Sequence, residues 1–282
     1  MNFYHVDVFA NQPLNGNGLS VVFIEKQLSD QTLQNIACEF NQFETIFIYP
    51  EEDSIFPARI FTVEEELDFA GHPILGAAAV ILAKTNSSQK EIKFIIKKRI
   101  ITTNAVKENS SYSVMMNQGK AEFINTLTIS EIETIIKSLN LSTHDIPDNY
   151  PIEVVSTGLS YLLLPVKNME ALGKSKITVS NMEKLLLDTG AKFLYLFNPD
   201  TLVCRTWDNL GKVEDAATGS AAGPLCAYLV KNGYKQKDEI IKIRQGQFIN
   251  RPGIIESWID SESENVMIKG NVSFFSKGKI MI

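Results

Sequence analysis

The chain has 282 residues, 44% of them hydrophobic and 21% charged, with a net charge of −6. These values are ordinary for a globular protein and exclude a disordered one; at about 150 residues per domain the length fits one large domain or two smaller ones. The acidic balance argues against a nucleic-acid partner, and no apolar run approaches the ~20 residues of a membrane span. Three scattered cysteines, Cys38, Cys204 and Cys226, cannot frame a disulfide scaffold, and His5, His72 and His144 show no metal-ligand spacing. The first residues lack a basic n-region and an apolar h-region, so a cytoplasmic, reducing location is expected.

In chain order, alternation predicts strands over 3–9 and 19–24, joined by the turn Asn15-Gly16-Asn17-Gly18. Ser29 reads as the N-cap of a helix to about residue 40, with Leu33, Ile36, Ala37 and Phe40 on one face. Strands follow at 45–48 and 59–62, a helix at 73–84, and strands at 91–96, 99–106 and 112–116. The polar segment 117–125 reads as a linker. Ser130-x-x-Glu133 and Ser180-x-x-Glu183 read as capping boxes opening helices at 131–139 and 181–188. Strands are predicted at 152–156, 161–165, 193–197 and 201–207. A helix over 221–231 ends at Gly233, and strands close the chain at 240–244, 253–259, 266–269 and 272–275. Strands outnumber helices and mostly alternate in polarity, which predicts an α+β protein built on antiparallel sheets.

The halves share a local pattern. Glu66-Leu-Asp-Phe-Ala-Gly71-His72 opens one small-residue helix and Glu214-Asp-Ala-Ala-Thr-Gly219-Ser220 opens the other, which suggests a duplicated domain. A glycine at a helix start lets backbone N–H groups approach a ligand, and the positive helix end favours a carboxylate or phosphate. Pro73 suits a first helical turn, whereas Pro224 removes a bond from one. The plainer reading is two buried helices rich in small residues. His72 reads either as a group facing a ligand or as a capping or core histidine.

Glu44 stands where a helix ends and an apolar strand begins. A carboxylate so placed is either a solvated turn residue or a desolvated proton shuttle, because burial favours its neutral form. Glu214 and Asp215 form an acid/base couple or brace their loop; the run Glu64-Glu65-Glu66 reads mostly as a solvated turn. The dinucleotide, phosphate-loop and serine-hydrolase signatures are absent.

These motifs, in order, carry a resemblance. Val6-Asp-Val-Phe9 with Gly16-Asn17, Phe43-Glu44-Thr45, Phe69-Ala-Gly-His-Pro73, Glu214-Asp-x-x-Thr-Gly-Ser-Ala221, and late Gln245-Gly246 with Arg251-Pro252 resemble the phenazine-biosynthesis isomerase-like family, which shares its fold with diaminopimelate epimerase. The resemblance implies two pseudo-symmetric domains, 1–119 and 120–282, each an antiparallel barrel-like sheet round a central helix, with the final strand 272–282 packing in the first. It also implies a homodimer that uses no cofactor. It makes Glu44, His72, Asp215 and Ser220 catalytic, and Asn17, Gly71, Pro73, Thr218 and Gly219 substrate-binding.

Epimerase relatives carry a cysteine before each helix-start glycine. Here Ala70 and Thr218 stand there, so a two-thiol reaction is excluded. Ala216 and Ala222 replace the family's frequent proline and histidine. The function expected by resemblance is cofactor-independent relocation of a proton on a small carboxylate-bearing metabolite. The alternatives are an epimerase or racemase of another acid, told apart by inversion without a double-bond shift, and a small-molecule binding or interaction module on the same scaffold.

Overall fold

The computed structural model describes residues 1–109 and 111–282. The chain divides into two compact units, Met1–Asn117 with Lys269–Ile282, and Gln118–Ile268.

The elements of the first part are β1 (Asn2–Val8), β2 (Asn17–Phe23), α1 (Asp30–Phe40), β3 (Glu44–Ile48), β4 (Ile55–Phe61), β5 (Glu66–Leu67), α2 (Gly71–Ala83), β6 (Gln89–Ile96), β7 (Arg99–Glu108) and β8 (Ser111–Gly119). Then come β9 (Glu122–Leu127), α3 (Glu133–Ser138), β10 (Ile152–Ser156), β11 (Ser160–Pro165), α4 (Met169–Lys174), α5 (Met182–Leu187), β12 (Phe193–Phe197), β13 (Val203–Arg205), α6 (Gly219–Lys231), β14 (Ile241–Gln245), β15 (Gly253–Ile259) and β16 (Val266–Lys279).

The first unit is a closed barrel in the order β1-β2-β3-β4-β6-β7-β8-β16, with β16 pairing back onto β1 from Val8↔Val272 to Asn2↔Lys279. Helix α2 fills it. Gly71 to Leu82 are all buried, and the helix packs on β1, β2, β3, β6 and β7. Gly76 is needed for that fit, since a Cβ there would run into Leu19 Cδ2. Helix α1 covers the outer face, where Leu33, Ile36 and Ala37 join Val22, Phe47 and Phe61. Ser29 caps α1 as predicted, accepting from Thr32 N at 3.2 Å.

The second unit repeats the scheme. Its sheet runs β9-β10-β11-β12-β13-β14-β15, and α6 packs on β10, β11 and β15, so the sheet wraps the helix. Helices α3 to α5 cover the outer face through Ile135, Ile136, Leu172, Met182 and Leu186. The fold is thus α+β, two pseudo-symmetric units each wrapped round a helix.

The strands are not all antiparallel. Pairs β2–β3, β4–β6, β11–β12 and β13–β14 are parallel. Each is joined through helix, as a parallel pair requires. Along β1-β2-β3-β4-β6-β7 the pairings alternate antiparallel, parallel, antiparallel, parallel, antiparallel, and β10 to β15 repeat that series.

Other expectations are corrected. The supposed linker 117–125 is mostly strand: residues 117–119 end β8, and 122–125 belong to β9, which pairs with β10. Neither predicted capping box forms: α3 and α5 have no side-chain cap, and Glu131 instead accepts from Thr128 N at 2.6 Å. The last two predicted strands are one strand, β16. No described helix is long and apolar enough to cross a membrane.

Candidate active site

Glu44 opens β3, directly after the turn that ends α1. Its side chain is 8% exposed, so the barrel holds a carboxylate out of water. Its Oε2 lies 3.0 Å from Nε2 of His72, whose side chain is 5% exposed. This is a close approach rather than an aligned hydrogen bond. His72 is the second residue of α2. On the other side of its ring, Asn17, the first residue of β2, sets its amide nitrogen 3.4 Å from Nδ1. An amide nitrogen has only protons to give, so Nδ1 accepts and the ring proton is on Nε2, facing Glu44. Burial pushes the His72 pKa down to about 3, so the ring is neutral near neutrality. Asn17, Glu44 and His72, three of the predicted site residues, therefore form one cluster in the first unit.

Local backbone explains the motifs around it. Gly16 has φ +58, and a Cβ there would run into the Val8 carbonyl oxygen. Asp7 accepts from Leu14 N at 2.7 Å and fixes the same turn. Gly71 starts α2 after Ala70, an extended N-cap that makes no side-chain hydrogen bond. Pro73 sits in the first turn, where its missing N–H costs nothing. The start of α2 is thus buried and uncapped, with the donors and partial positive charge that suit an anion.

In the second unit, Thr218 is the N-cap of α6, again without a side-chain cap, and Gly219 and Ser220 follow. Asp215 accepts from the Thr218 hydroxyl and, at 3.3 Å, from Ala217 N. Asp215 is 5% exposed and Thr218 8%. Ser220 Oγ lies 2.7 Å from the hydroxyl of Tyr161 on β11. Asp215 and Thr218 are brought together, and Ser220 is paired with a residue the sequence did not single out.

Gln245, at the end of β14, also exceeded its expected part. It is fully buried, donates to Asp215 O at 2.7 Å and to Thr218 Oγ1 at 2.9 Å, and accepts from Thr218 N at 3.1 Å and the Tyr195 hydroxyl at 2.9 Å. Gly246 beside it has φ +84, and a Cβ would strike the Arg251 and Ala216 carbonyls. Gln245 and Gly246 were legible as a motif, but their role was not.

Two arginines were missed altogether. Arg59 on β4 donates through Nε and Nη2 to Glu66 at 2.8 and 2.6 Å. Arg205 on β13 grips Glu214 with the same atoms at 3.0 and 2.6 Å. Glu66 is therefore not a solvated turn residue. The available signal was an arginine inside an otherwise apolar strand, which seldom occurs without a partner.

The thiols fit no proton-transfer role. Cys204 and Cys226 are buried and pushed up to about 12, and Cys38 donates to Val63 O at 3.0 Å. Among the described residues no group of three or more His, Cys, Asp or Glu is placed to hold a metal ion.

A buried carboxylate against an imidazole of fixed tautomer is equipment for moving protons, and the known relatives agree in class. An uncharacterized isomerase of Clostridium acetobutylicum is 30% identical over 100% of this chain and 98% of its own length. The trans-2,3-dihydro-3-hydroxyanthranilate isomerase of Pseudomonas fluorescens is 28% identical over 100% and 99%. A structure from Pseudomonas aeruginosa, described as a predicted epimerase, superposes with a TM-score of 0.94 at 39% identity, covering 100% of this chain and 99% of that one. The class is that of the isomerases. The sequence matches the family described as phenazine biosynthesis-like protein over residues 6–278, and the chain belongs to that family.

Proposed function

We propose that the protein is a cofactor-independent isomerase that relocates a proton on a small carboxylic acid. The observation that carries this reading is the buried Glu44–His72 approach of 3.0 Å. Glu44, ionised, takes a proton from an activated carbon of the substrate. The electron pair left behind is delocalised through the conjugated system, and the same proton returns from Glu44 to a different carbon. Neutral His72, oriented by Asn17, turns its Nε2–H towards Glu44 and does not compete for the proton.

Each uncapped helix start is an anion-binding group in its own unit, the N–H of Gly71 in the first and those of Gly219 with the Ser220 hydroxyl in the second, while Pro73 and Thr218 shape the helix starts. Asp215 keeps Thr218 in place by accepting from its hydroxyl.

The name of the Pseudomonas fluorescens relative supplies a trial acid, trans-2,3-dihydro-3-hydroxyanthranilate. Wild type and Glu44→Gln are incubated with it in deuterated water and followed by mass and retention. Loss of the catalytic base is expected to slow product formation by about 10²–10⁴-fold. Wild-type turnover by Glu44→Gln sinks the assignment.

A further inference from the structure

The two Arg–Glu pairs have no part in the chemistry above, yet they are duplicated atom for atom. Arg59 stands opposite Phe47, the fourth residue of β3, and Arg205 stands opposite Leu196, the fourth residue of β12. Glu66 and Glu214 each lie five residues before the glycine that opens the barrel helix. In both units the guanidinium fork therefore ties a sheet strand to the start of the strap that delivers the uncapped helix end.

The rest of each strap is held too, by unlike means. In the first unit Lys97 pairs with Asp68, and Arg99 lies over the Phe69 ring at 4.7 Å. In the second, Gln245 and Asp215 secure Thr218. What the units share is the arginine fork. A planar fork on a carboxylate fixes direction as well as distance, which a lysine cannot do.

We infer that Arg59 and Arg205, through Glu66 and Glu214, are positioning residues that set where the helix starts carrying His72 and Ser220 present their N–H groups. The inference rests on the proposed isomerase reading for its consequence in catalysis, but not for its structural part. The strap is the only covalent lead into each helix start, and neither helix has a side-chain cap to hold its first turn. An error in the strap therefore passes directly to residues 71–72 and 219–220.

The test uses the full chain. Arg59→Lys and Glu66→Gln probe the first fork; Glu214→Gln probes the second without removing the buried arginine. Amide hydrogen exchange is read at Gly71, His72 and Ile74 and at Gly219 and Ser220, beside the urea midpoint. The first-fork variants are expected to speed exchange at their helix start by up to about fivefold and Glu214→Gln, at the buried fork, by about ten- to a hundredfold, while strand amides of both units keep wild-type rates. With the trial acid, kcat is expected to fall while KM changes little, and the double variant Arg59→Lys/Glu66→Gln to be no worse than the poorer single one.

Unchanged exchange at the helix starts overturns the inference. So does a uniform rise through a unit, which marks a plain loss of stability. Should Glu44→Gln retain wild-type turnover, the isomerase reading fails by itself, and the exchange pattern still decides the fork.

Discussion

In the first unit the strand residue that opens β3 is Glu44 and the second residue of the helix is His72; in the second unit the matching places hold Phe193 and Ser220. Around these unlike residues the frame is the same, from the alternation of parallel and antiparallel pairs to the arginine fork. The two units share the scaffold that carries the helix start and differ in the groups attached to it. The forks also differ in depth. Arg59 and Glu66 are 27% and 24% exposed, and Arg59 reaches on to exposed Asp30, whereas Arg205 and Glu214 are 8% and 7% exposed. Arg205 spends its remaining nitrogen on the carbonyls of Leu172, Gly173 and Ser175.

That difference in depth predicts the largest contrast. Arg205→Ala strands a buried carboxylate and three carbonyls, and is expected to cost about 3–5 kcal/mol. Arg59→Ala leaves groups that water can reach, and is expected to cost about 0–1 kcal/mol. Urea unfolding of both variants checks this; equal losses would mean that the forks are equivalent in energy as well as in geometry.

A second contrast lies in acid. His72 is buried and neutral in the first unit, while the second unit's histidine, His144, is exposed. Unfolded, His72 takes a proton below about pH 6.5; folded, it resists protonation until about pH 3. The unfolded state thus binds more protons in this window, so stability from this site is present above pH 6.5 and lost as pH falls towards 3. Between pH 7 and 4 the wild type should lose on the order of 3 kcal/mol more than His72→Gln. Parallel loss in the two proteins would place the acid sensitivity elsewhere.

The smallest contrast compares two glycines inside the barrel helices. Gly→Ala normally favours a helix by up to about 1 kcal/mol. Here a Cβ at Gly76 would meet Leu19, and one at Gly223 would meet Gln118 Oε1, which accepts from Thr157. Both alanines should destabilise by about 1–3 kcal/mol, with Gly223→Ala the worse because Gln118 also donates to Gly219 O at 3.0 Å and would lose those bonds. Calorimetric melting of the two variants orders them.

Much of this was legible in the chain. The helices over 73–84 and 221–231 were visible from small-residue runs behind Gly71 and Gly219, and differ from α2 and α6 only at their ends. Glu44 and His72 stood out because a carboxylate before an apolar strand and an imidazole at a helix start are unusual in kind. The predicted capping boxes failed because α3 and α5 are short helices seated by their packed apolar faces, which fixes where they begin.

Local sequence determined most element types, the repeated helix starts and the candidate polar residues at them, since periodicity, turn chemistry and residue type act within a few positions. Tertiary structure decided strand direction, closure and partnership. Period-two alternation is the same in parallel and antiparallel strands, so only the crossing helices set β2–β3 and β11–β12 parallel. Closure brings Asn2 to Lys279 from opposite ends of the chain, and the forks join Arg59 to Glu66 and Arg205 to Glu214 only after β4 and β13 have found their places. Hydrogen bonds and ion pairs form between groups that folding makes neighbours, and that adjacency is a property of the packed chain.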